Sequence, residues 1–222
     1  MSGDAGERER RYIMNKGIAA TYSNLARTVI KGLESRNMTG YYAETKEEAL
    51  NIALSLIPEG STVTMGGAIS CQEIGLVDAI KNGNYTFLLP GHGPNRRQEC
   101  IEAYGADVFL SSCNAMTNDG ILVNIDGNSN RVSCIAYGPE KVVMVVSMNK
   151  VCADVDSAIK RARNVAAPMN ATRLGAETPC TKVGKCMDCK SPGTICCHFL
   201  VTRFSRHPGR IHVILVGEDL GL

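Results

Sequence analysis

Residues 141–148, KVVMVVSM, form the longest apolar stretch of this sequence. The run is far too short to cross a bilayer, which takes about 20 residues as a helix. Rich in β-branched valine, it reads as a buried strand, and a strand apolar at nearly every position has both faces covered. Runs of the same kind recur at STVTM (61–65), YTFLLP (85–90) and ADVFLSS (106–112), with MTGYYA (38–43) as a shorter one. HFLVTRF (198–204) and RIHVILVGED (210–219) close the chain in the same way.

Helical patterns separate these runs. NKGIAATYSNLARTVIKGLESRN (15–37) puts Ile18, Tyr22, Leu25, Val29 and Leu33 on one face. TKEEALNIALSLIPEG (45–60) opens with a capping box, Thr45 with Glu48, and SCQEIGLVDAIKNG (70–83) with a second, Ser70 with Glu73. NRRQECIEAYG (95–105) is a further helix, and DVDSAIKRARNVAAP (154–168) reads as one stopped by Pro168. GILVNIDGNSNRVSCIAYG (120–138) has turn signals between two β-rich runs and reads as a hairpin. Alternation of this kind predicts an α/β fold: a mainly parallel sheet with right-handed crossovers and helices on both faces. The expected organisation is one domain over residues 12–222, with residues 1–11 disordered and a cysteine-bearing loop at 178–197.

Charge and composition exclude some partners. The net charge is +2 with both signs interspersed, so no field attracts nucleic acid, and the sparse aromatics, four Phe and no Trp, leave few platforms for base stacking. The charged start MSGDAGERERRY lacks the apolar core of a signal peptide, and no apolar run suits a membrane. The expectation is a cytoplasmic protein whose thiols stay reduced.

Half of the ten cysteines lie in TPCTKVGKCMDCKSPGTICC (178–197), spaced C-x5-C-x2-C-x6-C-C. Three readings compete: a disulfide knot, a zinc site and an iron–sulfur cluster. Two thiolates two residues apart converge on one metal centre through a tight turn. Structural zinc sites usually use two such pairs, and only Cys186 and Cys189 form one here; a four-iron cubane tolerates uneven spacing. A cluster is therefore the preferred reading, with zinc as the alternative.

Three other stretches suggest a ligand. In TVTMGGAISCQEIGL (62–76), a strand runs through Gly66-Gly67 into a helix, a turn that lets backbone approach an anion. In SSCNAMTNDGILVNIDGNSNRV (111–132), Asp119-Gly120 and Asp126-Gly127 are turn dipeptides, but Asn124 and Asp126 stand two apart on a strand and share a face. In PGHGPNRR (90–97), His92, Arg96 and Arg97 offer cations to an acidic substrate, although a solvated loop explains them as well.

TVTMGGAISCQEIGL, residues 106–150, PCTKVGKCMDCKSP and GRIHVILVGEDLGL together resemble the LUD-domain family of lactate-utilisation proteins, whose operon partners are iron–sulfur proteins. The resemblance implies a fold like that of the glucosamine-phosphate deaminase, ribose-phosphate isomerase and CoA-transferase group. It implies a cleft in which Gly66, Gly67, Ser70 and Asn114 bind a small anionic substrate, and Glu73, Asp119, Asn124 and Asp126 take catalytic places. It also implies a 4Fe–4S cluster on Cys180, Cys186, Cys189 and Cys196, with Cys197 left over. The function implied is a subunit or accessory of an oxidoreductase system for L-lactate or a related small hydroxy acid. One cluster without a flavin or nicotinamide motif needs iron–sulfur partner proteins to complete a two-electron oxidation. A homo-oligomer is compatible with this reading. The alternative is a stand-alone isomerase- or transferase-type enzyme on a sugar phosphate or CoA ester, with Glu73 or Asp119 as general base and a structural metal site.

Overall fold

The computed structural model of the protein describes residues 16–90 and 94–222. His92 and the segment 1–11 lie outside the described residues. Six strands form a wholly parallel sheet: β1 (Thr39–Ala43), β2 (Thr62–Met65), β3 (Thr86–Leu88), β4 (Val108–Ser111), β7 (Lys141–Ser147) and β10 (Ile211–Val216), in the order β1-β10-β7-β4-β2-β3. A second sheet joins β5 (Ala115–Thr117), β6 (Leu122–Asp126), β8 (Val151–Cys152) and β9 (His198–Thr202) in the order β8-β5-β6-β9. Only its β5–β8 pair is parallel.

The apolar strands are buried on both faces because side chains alternate along them. Val143 and Val145 of β7, with Ile214 and Val216 of β10, enter a core covered by α2 (Lys46–Ser55), α3 (Ile69–Glu73) and α4 (Leu76–Asn82). Their neighbours Val142, Met144, Val146, Val213 and Leu215 face the other way, against Ala26, Val29 and Leu33 of α1 (Lys16–Ser35) and Ile135 of α6 (Asn130–Ala136). Each such aliphatic side chain contributes roughly 1.5–3 kcal/mol on burial. Among the described residues no helix is long and apolar enough to cross a membrane.

The first helix, the parallel sheet and its two covered faces match the sequence expectation; α5 (Arg96–Ala103) also lies where it was expected. At α2 the Thr45 hydroxyl accepts from the Glu48 N–H, while the Glu48 carboxylate reaches one residue further, to the Glu44 N–H. Three local expectations are corrected. Residues 120–138 are not a hairpin: β6 ends at Asp126 and α6 follows, because the Asp126 carboxylate accepts N–H groups of the incoming helix. The hairpin lies one step earlier, between β5 and β6 across Asp119-Gly120, where Gly120 adopts a left-handed φ of 89°.

The second capping box does not form. α3 is capped at Ala68 without a side-chain bond, and Glu73 accepts instead from the Gly221 N–H at 2.7 Å. Nor does Pro168 stop its helix. α7 (Val155–Arg161) widens into a π-helical segment, Ala162–Ala166, and continues as α8 (Ala167–Arg173) with Pro168 in its first turn. A first-turn position needs no N–H from proline. The Ala167 N–H reaches back five residues to Ala162. All ten cysteines are free thiols, so no disulfide knot is present.

Candidate functional site

A cleft of about 260 Å³ opens at the carboxyl ends of β2, β4 and β7. Open parallel sheets bind ligands at this edge, because the chain there leaves the sheet as loops. Gly67 and Ser70 come from the turn after β2, Ser112 to Asn114 from the turn after β4, and Lys150 from the 3₁₀ turn Met148–Lys150 after β7. The far wall is built by Asp126 to Asn128 and Arg131 beyond β6, with Asn170 and Arg173 of α8.

Of the residues expected in the site, Gly67, Ser70, Asn114 and Asp126 line this cleft. Gly66 lies behind it: a Cβ there would stand 2.8 Å from Arg131 Cγ, so its lack of a side chain makes room for that arginine. Asn114 Oδ1 accepts from the Ile125 N–H at 2.8 Å and from Arg131 Nη2 at 3.3 Å. Asp126 is heavily engaged. Its Oδ1 accepts from the N–H groups of Asn128 and Ser129, and its Oδ2 from that of Val132 and faces Arg131 Nε at 3.5 Å.

Asn124 is fully buried beneath the cleft and does not line it; its Nδ2 donates to the Ser112 carbonyl at 2.9 Å, and its Oδ1 has no partner. Glu73 borders the cleft through its bond to Gly221. Asp119 is elsewhere, in the β5–β6 turn, where it pairs with Arg36 at the end of α1 and accepts from Thr117 Oγ1. Those partners hold its carboxyl below the usual range, the Thr117 hydroxyl first. Arg96 and Arg97 are exposed at the start of α5 and do not line the cleft.

Residue reading alone missed Lys150, Arg131 and Arg173. Lys150 is 3% exposed, and its Nζ has two hydroxyl partners, Ser70 Oγ and Ser112 Oγ, both at 3.4 Å. Burial pushes its amine below the ordinary lysine value. The neighbouring thiols are pushed the other way by burial, Cys71 to about 12 and Cys113 to about 11, which leaves them protonated and inert at neutral pH. The signal for Lys150 was positional: it follows the carboxyl end of the most apolar strand.

Beside the cleft lies a smaller concavity of about 130 Å³ lined by Cys180, Cys186, Cys189 and Cys196. Cys180 rides on α9 (Pro179–Val183), which ends at Gly184 in a left-handed turn (φ 74°). Asp188, at φ 50°, turns the chain between Cys186 and Cys189. Cys197 is exposed and does not line the concavity; its N–H donates to the Asp126 carbonyl at 2.9 Å as β9 begins. Burial, and then the thiols of Cys186, Cys180 and Cys189, push Cys196 up to about 11. The Ser191 hydroxyl holds Cys189 below its usual value. Arg163, on the π-helical segment, donates to Cys186 Sγ at 3.4 Å and pairs with Asp188. Among the described residues no three His, Cys, Asp or Glu side chains are set to hold a single metal ion. The four thiols line this one concavity.

An all-parallel six-stranded sheet with helices on both faces and a polar cleft at its carboxyl edge defines a protein of the α/β class. The model of the LUD domain matches residues 26–216, and the chain belongs to that family. A DUF162 family protein of Deinococcus radiodurans has a similar fold, with a TM-score of 0.51 at 14% identity over 88% of this chain and 98% of that one. Slighter similarities reach the translation initiation factor eIF-2B of Pyrococcus horikoshii OT3 (TM-score 0.35, 16% identity, 49% of this chain and 47% of that one). They also reach ribose 5-phosphate isomerase A of Neisseria gonorrhoeae (TM-score 0.32, 14% identity, 50% and 56%). Among curated proteins none matches.

Proposed function

We propose that this LUD-domain protein carries one 4Fe–4S cluster on Cys180, Cys186, Cys189 and Cys196. It serves in the cytoplasm as a subunit or accessory of an oxidoreductase system for L-lactate or a related small hydroxy acid. The observation that carries the reading is the single concavity lined by those four thiols and not by Cys197. Four soft donors around a space suit a cubane, whereas zinc needs its ligands drawn to one centre. When bound, the cluster supplies one-electron transfer.

The chain's own residues do the rest. Arg163 donates to Cys186 Sγ and offsets the negative charge of the thiolates. The polar cleft holds the substrate anion against Lys150 and Arg173. Cleft and concavity share a wall, since Ile195 lines the first and Cys196 the second, and α8 contributes to both. Iron–sulfur partner proteins take the electrons onward.

Anaerobic purification with iron and sulfide analysis tests this. Replacing Cys180, Cys186, Cys189 or Cys196 by Ser should collapse the iron content, and Cys197→Ser should leave it near normal. A colourless protein with one zinc per chain would remove the electron-transfer role. The cationic cleft would then favour the second reading, an isomerase or transferase acting on a sugar phosphate or CoA ester.

A further inference from the structure

Lys150 raises a question that the fold does not answer. A buried ammonium is costly unless an anion or several strong acceptors face it. Lys150 has two hydroxyl oxygens, each at 3.4 Å, and among the described residues no carboxylate forms an ion pair with it. The lining of the cleft deepens the imbalance. It holds three cationic side chains, Arg131, Lys150 and Arg173, against one acidic side chain, Asp126. Asp126 is committed to Arg131 and to three backbone N–H groups, and Glu73 acts on Lys150 only from beyond contact, so among the described residues no carboxylate touches Lys150 or Arg173. The local backbone is shaped to the same spot. Gly221 adopts φ 62°, and a Cβ on it would stand 2.6 Å from Ser70 Oγ and 2.8 Å from Lys150 Nζ.

We propose that Lys150, Ser70 and Ser112 form the seat of a small oxyanion, the carboxylate of the substrate. The anion supplies the missing counter-charge to Nζ, and the two hydroxyls turn from accepting to donating, each toward an oxyanion oxygen. Arg173, at the rim, attracts the anion without burying a second charge. The turn after β2 therefore works through side chains: α3, five residues long, is too short to act as an anion-binding helix end. Gly221 closes the seat from the far side, pinned through its N–H to Glu73, which gives that residue a positioning role. The inference deepens the reading of the cleft as the substrate site and does not depend on the cluster.

Titration calorimetry on the anaerobically purified protein tests it with L-lactate and inorganic phosphate as the two probes. Binding by lactate that weakens about tenfold to a hundredfold in Lys150→Met, the loss typical of a hydrogen bond to a charged group, supports the seat and assigns a carboxylate. The same weakening seen for phosphate supports the seat and assigns a phosphoryl group. Removal of a buried charge that no carboxylate touches should also raise the melting temperature of ligand-free Lys150→Met. If that variant fails to fold, Lys150→Gln keeps a polar group in place and carries the same test. The proposal is overturned if neither anion binds, or if either binds the variant as tightly as the parent protein. Iron content is measured separately on the unsubstituted chain, so the cluster reading stands or falls on its own.

Discussion

Removing the Asp126 carboxylate should destabilise the protein severely, and the magnitude follows from what it touches. Its side chain is 9% exposed and that of Arg131 14%. Asp126→Ala takes away the counter-charge of a buried guanidinium and the acceptor of three N–H groups at the start of α6. Breaking one side of a buried pair costs about 3–5 kcal/mol, a large part of the roughly 5–15 kcal/mol that holds a domain folded. For a chain of 222 residues that corresponds to a fall in melting temperature of roughly 6–20 °C. Asp126→Asn keeps the shape and one acceptor oxygen and should lose less, about 1–3 kcal/mol. Asp126→Ala/Arg131→Met removes the orphaned charge as well and should recover part of the loss, because the two residues are coupled. Urea unfolding of metal-free, reduced protein reads all three through the midpoint at constant slope. A loss under about 1 kcal/mol in Asp126→Ala, or full additivity in the double variant, would refute the brace. A catalytic Asp126 without this structural role would show the opposite pattern, with Asp126→Asn inactive and as stable as the parent.

Gly32→Ala should destabilise, although alanine is the better helix former by about 1 kcal/mol. A Cβ there would run into the backbone of Asp119, and a gain in melting temperature would show that α1 does not rest on that turn. Folded Cys71 and Cys113 keep their protons to about 12 and about 11, against 9.0 for an ordinary thiol. Stability is therefore complete below about pH 9 and falls as the pH rises through 9–12, by about 1.4 kcal/mol per unit and thiol at most. Lowered Lys150 acts in the opposite sense below 10.5, so the comparison is with Cys71→Ala/Cys113→Ala, whose urea midpoint should fall less over that range; equal slopes would contradict the burial argument. A thiol reagent applied to metal-free folded protein should label exposed Cys197 first and the buried Cys71 and Cys113 last. All ten thiols should count in denaturant without reductant, and a shortfall would reveal a disulfide.

What could be read from the residues divides along physical lines. The parallel sheet was legible because β7 and β10 are apolar on both faces, a pattern that short segments declare without help from the rest of the chain. The pairing of Cys186 with Cys189 was legible from spacing, since the turn at Asp188 is local, whereas Cys180 and Cys196 joined them only through the family resemblance. The helix at 130–136 was not, because its start is fixed by Asp126, whose side chain looks like part of a turn dipeptide. Continuation through Pro168 was hidden for a related reason: the π-helical turn that accommodates it has no signature in residue type. Lys150 was the least visible, since a lysine among SMNK reads as solvated until the tertiary structure buries it. Asn124 and Asp126 were rightly placed on one strand face, yet the face turns inward at Asn124 and reaches the cleft only at Asp126.

The pairing of β9 with β6 ties the two concavities mechanically. Cys197 hands its N–H to the Asp126 carbonyl, and from there five rungs, Asp126 with His198 through Leu122 with Thr202, fix the register. The cysteine loop is thus clamped at its exit to the residue that braces the cleft, and neither can shift along the strand without the other. Thermodynamic linkage makes such a clamp reciprocal: an occupant that changes the cleft's affinity by some factor when the loop is filled must change the loop's affinity by that same factor when the cleft is filled.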